Sequence, residues 1–337
     1  MVATPHEETI VADDNVASSV IDDDDSALGG DAFSDSTSLK SSILKYREEN
    51  GRTYHAYKDG AYALPNDEVE NERLDLQHHL MLLTFDGKLH AAPLPEKLDR
   101  VFDVGCGTGI WSIEFADEHP ETQVIGADLS PIQPSAVPPN VTFYVDDVEE
   151  SWDYSAKFDF IFARFLTGSI RDWPKFFRQS YENINAGGVI ELIDCIYPMA
   201  SDDDTLSKDS ALYKWSKMLL DAFTDMGSGL DSVLRYQEQL EEAGFVNVEV
   251  VKRKWPLNAW PKDPKYKQLG IWSFENGMNG LSGASLAAFT RPKSAGGLGW
   301  SAGEVELFLA DVRKDLRNLK IHAYCHIWSV YATKPEQ

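Results

Sequence analysis

Val101-Phe102-Asp103-Val104-Gly105-Cys106-Gly107-Thr108-Gly109-Ile110 is the stretch whose reading decides the fold. A short, mostly apolar run stops abruptly at a glycine, as a buried strand does at a tight turn. Glycines at alternate positions let the backbone turn sharply and approach a ligand without a Cβ in the way. From Ile110 a helical pattern runs on and ends before Pro120. Two better-known glycine loops are excluded. A Walker A loop needs Gly-Lys followed by Ser or Thr, and a dinucleotide fingerprint needs glycine where this chain has Ile110.

The pattern repeats downstream. Gln123–Ala127, Val141–Val145, Phe158–Phe162 and Val189–Ile193 read as strands, with helical segments between several of them. Phe176, Phe177, Tyr181 and Ile184 mark one helix, and the Gly187-Gly188 turn opens the strand that follows. Phe245–Val251 and about His322–Tyr331 complete seven strands, with helices over Leu212–Met226 and after the capping-box pair Ser301 and Glu304. Strands spaced this way predict an α/β fold with a doubly wound, mostly parallel sheet. Upstream, Asn66 is the expected N-cap of a helix carrying Val69, Leu76, Leu80 and Leu83 as its stripe.

Three strand tips then carry chemistry. The second strand ends at Asp128-Leu129, 19 residues after Gly109, where a carboxylate accepts hydrogen bonds from both ribose hydroxyls of an adenosyl group. The third runs out into Asp146-Asp147-Val148. The pattern from Asp103 through Gly105, Cys106, Gly107, Thr108 and Gly109 resembles the first motif of class I S-adenosylmethionine-dependent methyltransferases. A turn without a ligand would show the same glycines. The resemblance implies that Asp147 accepts from the adenine amino group and that the Val148 N–H faces a ring nitrogen. So many carboxylates suit a sulfonium cation better than a phosphate, which favours S-adenosylmethionine over NAD or ATP.

The charge narrows the partners. Among 337 residues, 31 Lys and Arg stand against 55 Asp and Glu, a net charge of −24. Phosphate neutralisation needs a basic face, so nucleic acid is not an expected ligand, and anionic membrane surfaces are disfavoured. No apolar run reaches the roughly 18 residues of a membrane span, and no secretory signal is visible. Cys106, Cys195 and Cys325 match no metal spacing, so no metal is expected and the chain reads as intracellular, in cytoplasm or nucleus. Residues 1–40, with the run Asp22-Asp23-Asp24-Asp25, read as a disordered acidic tail, either solvated or an interaction tail. Residues 41–98 read as an N-terminal helical segment over the cofactor site. Residues 99–337 read as the methyltransferase domain, with a helical insertion at about 255–300, before the last strand, as a substrate cap.

Several stretches are more particular than the glycine motif. Asn50-Gly51-Arg52-Thr53-Tyr54-His55, Arg73-Leu74-Asp75-Leu76-Gln77-His78-His79 and Gly168-Ser169-Ile170-Arg171-Asp172-Trp173 resemble the fungal LaeA-like methyltransferases, a family linked to secondary metabolism and development. The likeness runs from about Ile43 to the C-terminus. It implies either methylation of a small natural product at O or N, or a regulatory protein working with velvet-domain partners. It also implies that Arg52 and Tyr54 contact the methionyl end of the cofactor; an ion pair and simple packing are the plainer roles. Arg164 either lines the cleft or neutralises the acids around it.

Methyl transfer is an in-line displacement whose catalysis is mostly alignment and exclusion of water. A base is needed only where the nucleophile must lose a proton. His55, His78, His79 and His326 lie in segments with access to the cleft, and none is assigned as a base. The loop Ala163-Arg164-Phe165-Leu166 lacks the (Asn/Asp)-Pro-Pro-(Tyr/Phe) of adenine and glutamine methylation. Trp255, Trp260, Trp272, Phe274 and Trp300 in the insertion either cap an apolar acceptor pocket or form the insertion's own core.

Overall fold

A computed structural model describes residues 8–13, 45–58 and 62–336. β1 (Arg47–Glu49) and β2 (Arg52–Tyr54) form a hairpin. Helix α1 (Glu68–Thr84) follows, then β3 (Arg100–Val104), α2 (Ile110–Glu118), β4 (Gln123–Asp128) and β5 (Val141–Val145). Next come β6 (Phe158–Arg164), α3 (Trp173–Asn183), β7 (Ile184–Ala200), α4 (Ala211–Asp225) and α5 (Tyr236–Ala243). β8 (Val246–Pro256), α6 (Pro264–Phe289), α7 (Ala302–Leu316) and β9 (Tyr324–Thr333) end the chain.

β3 to β9 make one sheet in the order β5-β4-β3-β6-β7-β9-β8. All neighbours are parallel except β9, which runs antiparallel to both β7 and β8. The expected doubly wound sheet is therefore present. Its two faces follow from alternation along each strand. Phe160 and Phe162 of β6 turn toward α1, α2, α4, α6 and α7, whereas Ile161 and Ala163 turn toward α3 and α5. Trp111 of α2 stacks on Phe162 at 4.0 Å and donates its indole N–H to Leu89 O at 2.9 Å, so its one polar atom is satisfied in the core.

Four local expectations change. The N-cap of α1 is Asp67, which accepts from the Glu70 N–H, because Asn66 is already engaged by the hairpin through Thr53. Along α1, Val69 is exposed while Glu70, Arg73, Gln77, Leu80 and Met81 turn inward. The Gly187-Gly188 pair lies inside β7, at a register irregularity opposite Phe158 and Phe160, rather than opening the strand. Within the stretch read as a disordered tail, residues 8–13 lie extended against the start of the insertion. The Asp13 N–H donates to Trp260 O and the Lys262 N–H to Val11 O, both at 2.9 Å, and Ile10 is buried. The remainder of 1–40 lies outside the described residues. Among the described residues no helix is long and apolar enough to cross a membrane.

The span 255–300 is mostly the 26-residue α6. The expected helical insertion is therefore present, and its glycines serve close approach. A Cβ at Gly280 would sit 3.1 Å from Arg73 Cδ, so the glycine gives the α1 arginine its room.

Candidate functional site

The carboxyl ends of β3 to β6 open on a cavity of about 310 Å³. It lies where the strand order reverses beside β3, the usual ligand position in open α/β sheets. The loop after β3 is held from the neighbouring strand. Gly105 and Cys106 N–H both donate to Ala127 O, at 2.8 and 3.1 Å. The Gly107 N–H donates to Asp128 Oδ2 at 2.9 Å and the Ser130 N–H to Oδ1 at 2.8 Å. Asp128 thus clamps one strand tip to the next and keeps lone pairs in reserve for a ligand. Burial pushes its carboxyl up, and the Ser130 and Gly107 donors pull it back.

Gly105, Cys106, Gly107, Thr108, Asp128, Leu129, Asp147, Val148 and Arg164 all line the cavity. Above Gly107 the space is open, since a Cβ there would meet only Leu74 Cδ1 at 3.5 Å. Thr108 Oγ1 donates to Asp75 of α1 at 2.7 Å. Asp147 Oδ1 accepts the Glu149 N–H at 3.0 Å, and its Oδ2 lies 3.8 Å from Lys58 Nζ.

Four expected site residues stand elsewhere. Asp103 lies beneath the loop, where it accepts from Ser112 Oγ at 2.6 Å and burial lifts its carboxyl to about 6. Gly109 opens α2 at φ +80°, and a Cβ there would come within 2.4 Å of Phe143 Cζ, so it serves packing of the loop on β5. Arg52 pairs with Asp67 through Nε and Nη2, which fixes the hairpin to the start of α1. Tyr54 is buried under the Arg47 guanidinium, 4.9 Å from its ring centre.

Arg164 meets both readings halfway. It lines the cavity, and its Nη1 donates to His78 Nδ1 at 2.8 Å while His78 Nε2 donates to Glu114 at 2.8 Å. That pattern requires a neutral His78, and burial together with Arg164 holds its pKa below the usual range. Neither His78 nor His55, His79 or His326 lines the cavity, and among the described residues no histidine does.

The sequence did not single out Tyr62, Glu70, Arg73, Gln77, Tyr197 and Asn276, which do line it. Glu70, Arg73 and Gln77 sit at i, i+3 and i+7 of α1, a helical spacing that only a hydrophobic search would have overlooked. Beyond them the wall is apolar: Phe165, Trp215, Leu219, Phe223, Trp255 and Leu257. The Trp215 and Trp255 indoles donate to Ser285 Oγ and Thr84 Oγ1, leaving their faces to the cavity. Of the insertion's five aromatics noted above, Trp255 alone is in this wall.

The loop after β6 is fixed by Asp194, which accepts the Thr167 N–H at 2.9 Å and the Tyr236 hydroxyl at 2.7 Å. Burial lifts this carboxyl to about 7, against the pull of both donors. Its folded pKa lies above the unfolded value, so the folded state holds the proton more tightly. Its contribution is present below about pH 4 and is lost as pH rises toward 7, on the order of 4 kcal/mol. Asp194→Asn should flatten that part of the stability curve in urea melts between pH 4.5 and 7.5; an unchanged slope would remove Asp194 as its source.

Among the described residues no three His, Cys, Asp or Glu side chains group as metal ligands. A family model described as a methyltransferase domain matches residues 76–250. The chain is 38% identical to the methyltransferase pytC of Aspergillus terreus over 90% of this chain and 93% of that one. It is 33% identical to the probable methyltransferase tdiE of Emericella nidulans, over 87% and 90%. It is 37% identical to the secondary metabolism regulator LAE1 of Cochliobolus heterostrophus, over 86% and 95%.

Proposed function

The chain belongs to the LaeA-like family of S-adenosylmethionine-dependent methyltransferases, and from that premise we propose that it methylates a small, largely apolar acceptor of the secondary-metabolite kind at oxygen or nitrogen. One observation carries the reading. A single cavity joins the Gly105–Gly107 loop and Asp128 to an aromatic wall, so a donor and an apolar acceptor fit side by side. The residues suit the cofactor: an open glycine loop, a clamped carboxylate for the ribose at Asp128, and Asp147 with Val148 N–H for the adenine.

When bound, S-adenosylmethionine supplies a methyl carbon on a cationic sulfur, an electrophile that needs little further activation. The protein's part is to hold and exclude. Asp128 fixes the ribose, and Trp215, Trp255 and Leu219 keep water from the acceptor half. Burial pushes the Tyr62 and Tyr197 phenols up, so both stay protonated and serve as hydrogen-bond donors rather than bases. With no histidine among the described residues of the wall, an acceptor whose nucleophile is already deprotonated, or needs no deprotonation, fits best.

The three cysteines are free, in keeping with a reducing compartment, and we place the protein in cytoplasm or nucleus. The likeness to LAE1, nearly equal in identity to that with pytC, supports a second reading, regulation of secondary metabolism, for which velvet-type proteins would be the partners to test. Calorimetric titration with S-adenosylmethionine and S-adenosylhomocysteine is the first test, with binding of both at about micromolar Kd expected. A folded sample that binds neither would overturn the enzymatic reading and leave the regulatory one. Methylated product from a candidate metabolite would favour biosynthesis, and a partner-bound nuclear pool would favour regulation.

A further inference from the structure

A buried ion pair stands in the wall of the cavity between the glycine loop and the aromatic lobe. Arg73 donates from Nε to both Glu70 carboxylate oxygens at 3.1 Å and from Nη2 to Oε1 at 2.7 Å. Its Nη1 donates to Asn276 Oδ1 at 2.8 Å, across the cavity roof on α6. Both members of the pair are nearly inaccessible. A buried pair of this kind adds little to stability over an apolar pair of the same volume, so folding alone does not account for it.

The cluster has unused capacity. A guanidinium has five N–H groups, and the bonds to Glu70 and Asn276 use three of them. The Asn276 amide N–H groups have no hydrogen-bond partner among the described residues, although Asn276 lines the cavity. Glu70 keeps carboxylate lone pairs beyond those that Arg73 occupies. The cluster is close to neutral as a whole, so a lone anion or a lone cation gains little from it. A zwitterion gains at both ends: its carboxylate takes Arg73 Nη and Asn276 Nδ2 donors, and its ammonium takes Glu70. The next α1 residue, Leu74, is the side chain nearest to a Cβ placed on Gly107, which puts this face of the helix beside the cofactor loop. The two other arginines singled out in the sequence are engaged, Arg52 by Asp67 and Arg164 by His78.

We propose that Glu70, Arg73 and Asn276 receive the amino-acid end of S-adenosylmethionine, and that this end, once held, ties α6 to α1 over the acceptor half of the cavity. The inference rests on the cofactor reading above. It replaces Arg52 as the carboxylate partner and makes the cofactor part of the roof under which the acceptor is aligned.

The experiment compares S-adenosylhomocysteine with 5′-methylthioadenosine, which keeps the adenosyl half and lacks the amino acid. Both are titrated calorimetrically into the full chain, its Arg73→Lys variant and its Asn276→Ala variant. Arg73→Lys keeps the charge and loses the planar fork. It should weaken S-adenosylhomocysteine about 20-fold or more and leave methylthioadenosine within about twofold. The retained methylthioadenosine affinity doubles as the check on folding. Hydrogen exchange over residues 264–289 should slow with S-adenosylhomocysteine and not with methylthioadenosine. Equal losses for both ligands, no loss for either, or equal protection of α6 by both would overturn the proposal. A wild-type chain that binds neither ligand overturns the cofactor reading and this inference with it. A wild-type chain that binds S-adenosylhomocysteine as tightly as its Arg73→Lys variant does overturns this inference alone.

Discussion

Asp128→Ala should lower S-adenosylhomocysteine affinity by about a hundredfold or more, with the protein still folded. The carboxylate accepts from Gly107 and Ser130 N–H, so its removal strips the ribose partner and also frees the loop that the cofactor must lie against. Two backbone donors would lose their acceptor, at about 1–3 kcal/mol each where water does not replace it. Asp128→Asn keeps one acceptor oxygen and turns an amide N–H toward the second donor, so an intermediate loss is expected. Titration calorimetry with far-UV circular dichroism on the same samples decides the matter. Wild-type affinity in a folded Asp128→Ala protein would remove Asp128 from the site.

The largest stability effect belongs to Glu191. This carboxylate, wholly buried in β7, accepts from the Ala91 and Ala92 N–H groups at 2.9 Å and from Ser329 Oγ at 2.7 Å. It joins the segment between α1 and β3 to the middle of the sheet and to β9 at once. Glu191→Ala leaves three buried donors without an acceptor, a cost on the order of 3–5 kcal/mol. That is a large part of the roughly 5–15 kcal/mol that holds a domain folded. The urea midpoint should fall steeply, while Glu191→Gln, which keeps an acceptor, falls less. An unchanged midpoint in Glu191→Ala would show that residues 91–92 do not rely on this strand. The same bonds tie the link between α1 and β3 into the sheet it precedes.

What the sequence disclosed and what it hid have a common cause. The glycine turn, Asp128 and the Asp147-Val148 tip were legible because each is a local pattern at a strand end, and backbone geometry fixes such positions. The capping box at Ser301 and Glu304 was legible for the same reason. The inward face of α1 was not. A helix that borders a ligand cavity turns Glu70, Arg73 and Gln77 inside and leaves Val69 out, which inverts the rule by which helices are read. That the insertion is helical was legible, but the single long helix α6 was not, because glycines at 270, 277, 280 and 283 are each a break signal in isolation. Gly280 gives room to Arg73, 207 residues earlier in the chain, and no local window contains that fact. Of the two roles left open for Arg52 the ion pair is present, but its partner Asp67, at the start of α1, was not one that spacing pointed to.

The connection between β8 and β9 bears on how such a chain diversifies. Two adjacent antiparallel strands are usually joined by a few residues, yet here the link carries α6, α7 and the α6 side of the cavity from Ser273 to Ala284. The entropy of closing a link rises only slowly with its length, about 0.6 kcal/mol per doubling, and both attachment points are anchored in the sheet. Inheritance can therefore rewrite the span from Leu257 to Ala323 while the loops after β3, β4 and β5 stay unchanged. A graft of that span between relatives is the natural unit for exchanging the α6 side of the cavity, a cassette whose ends already stand side by side.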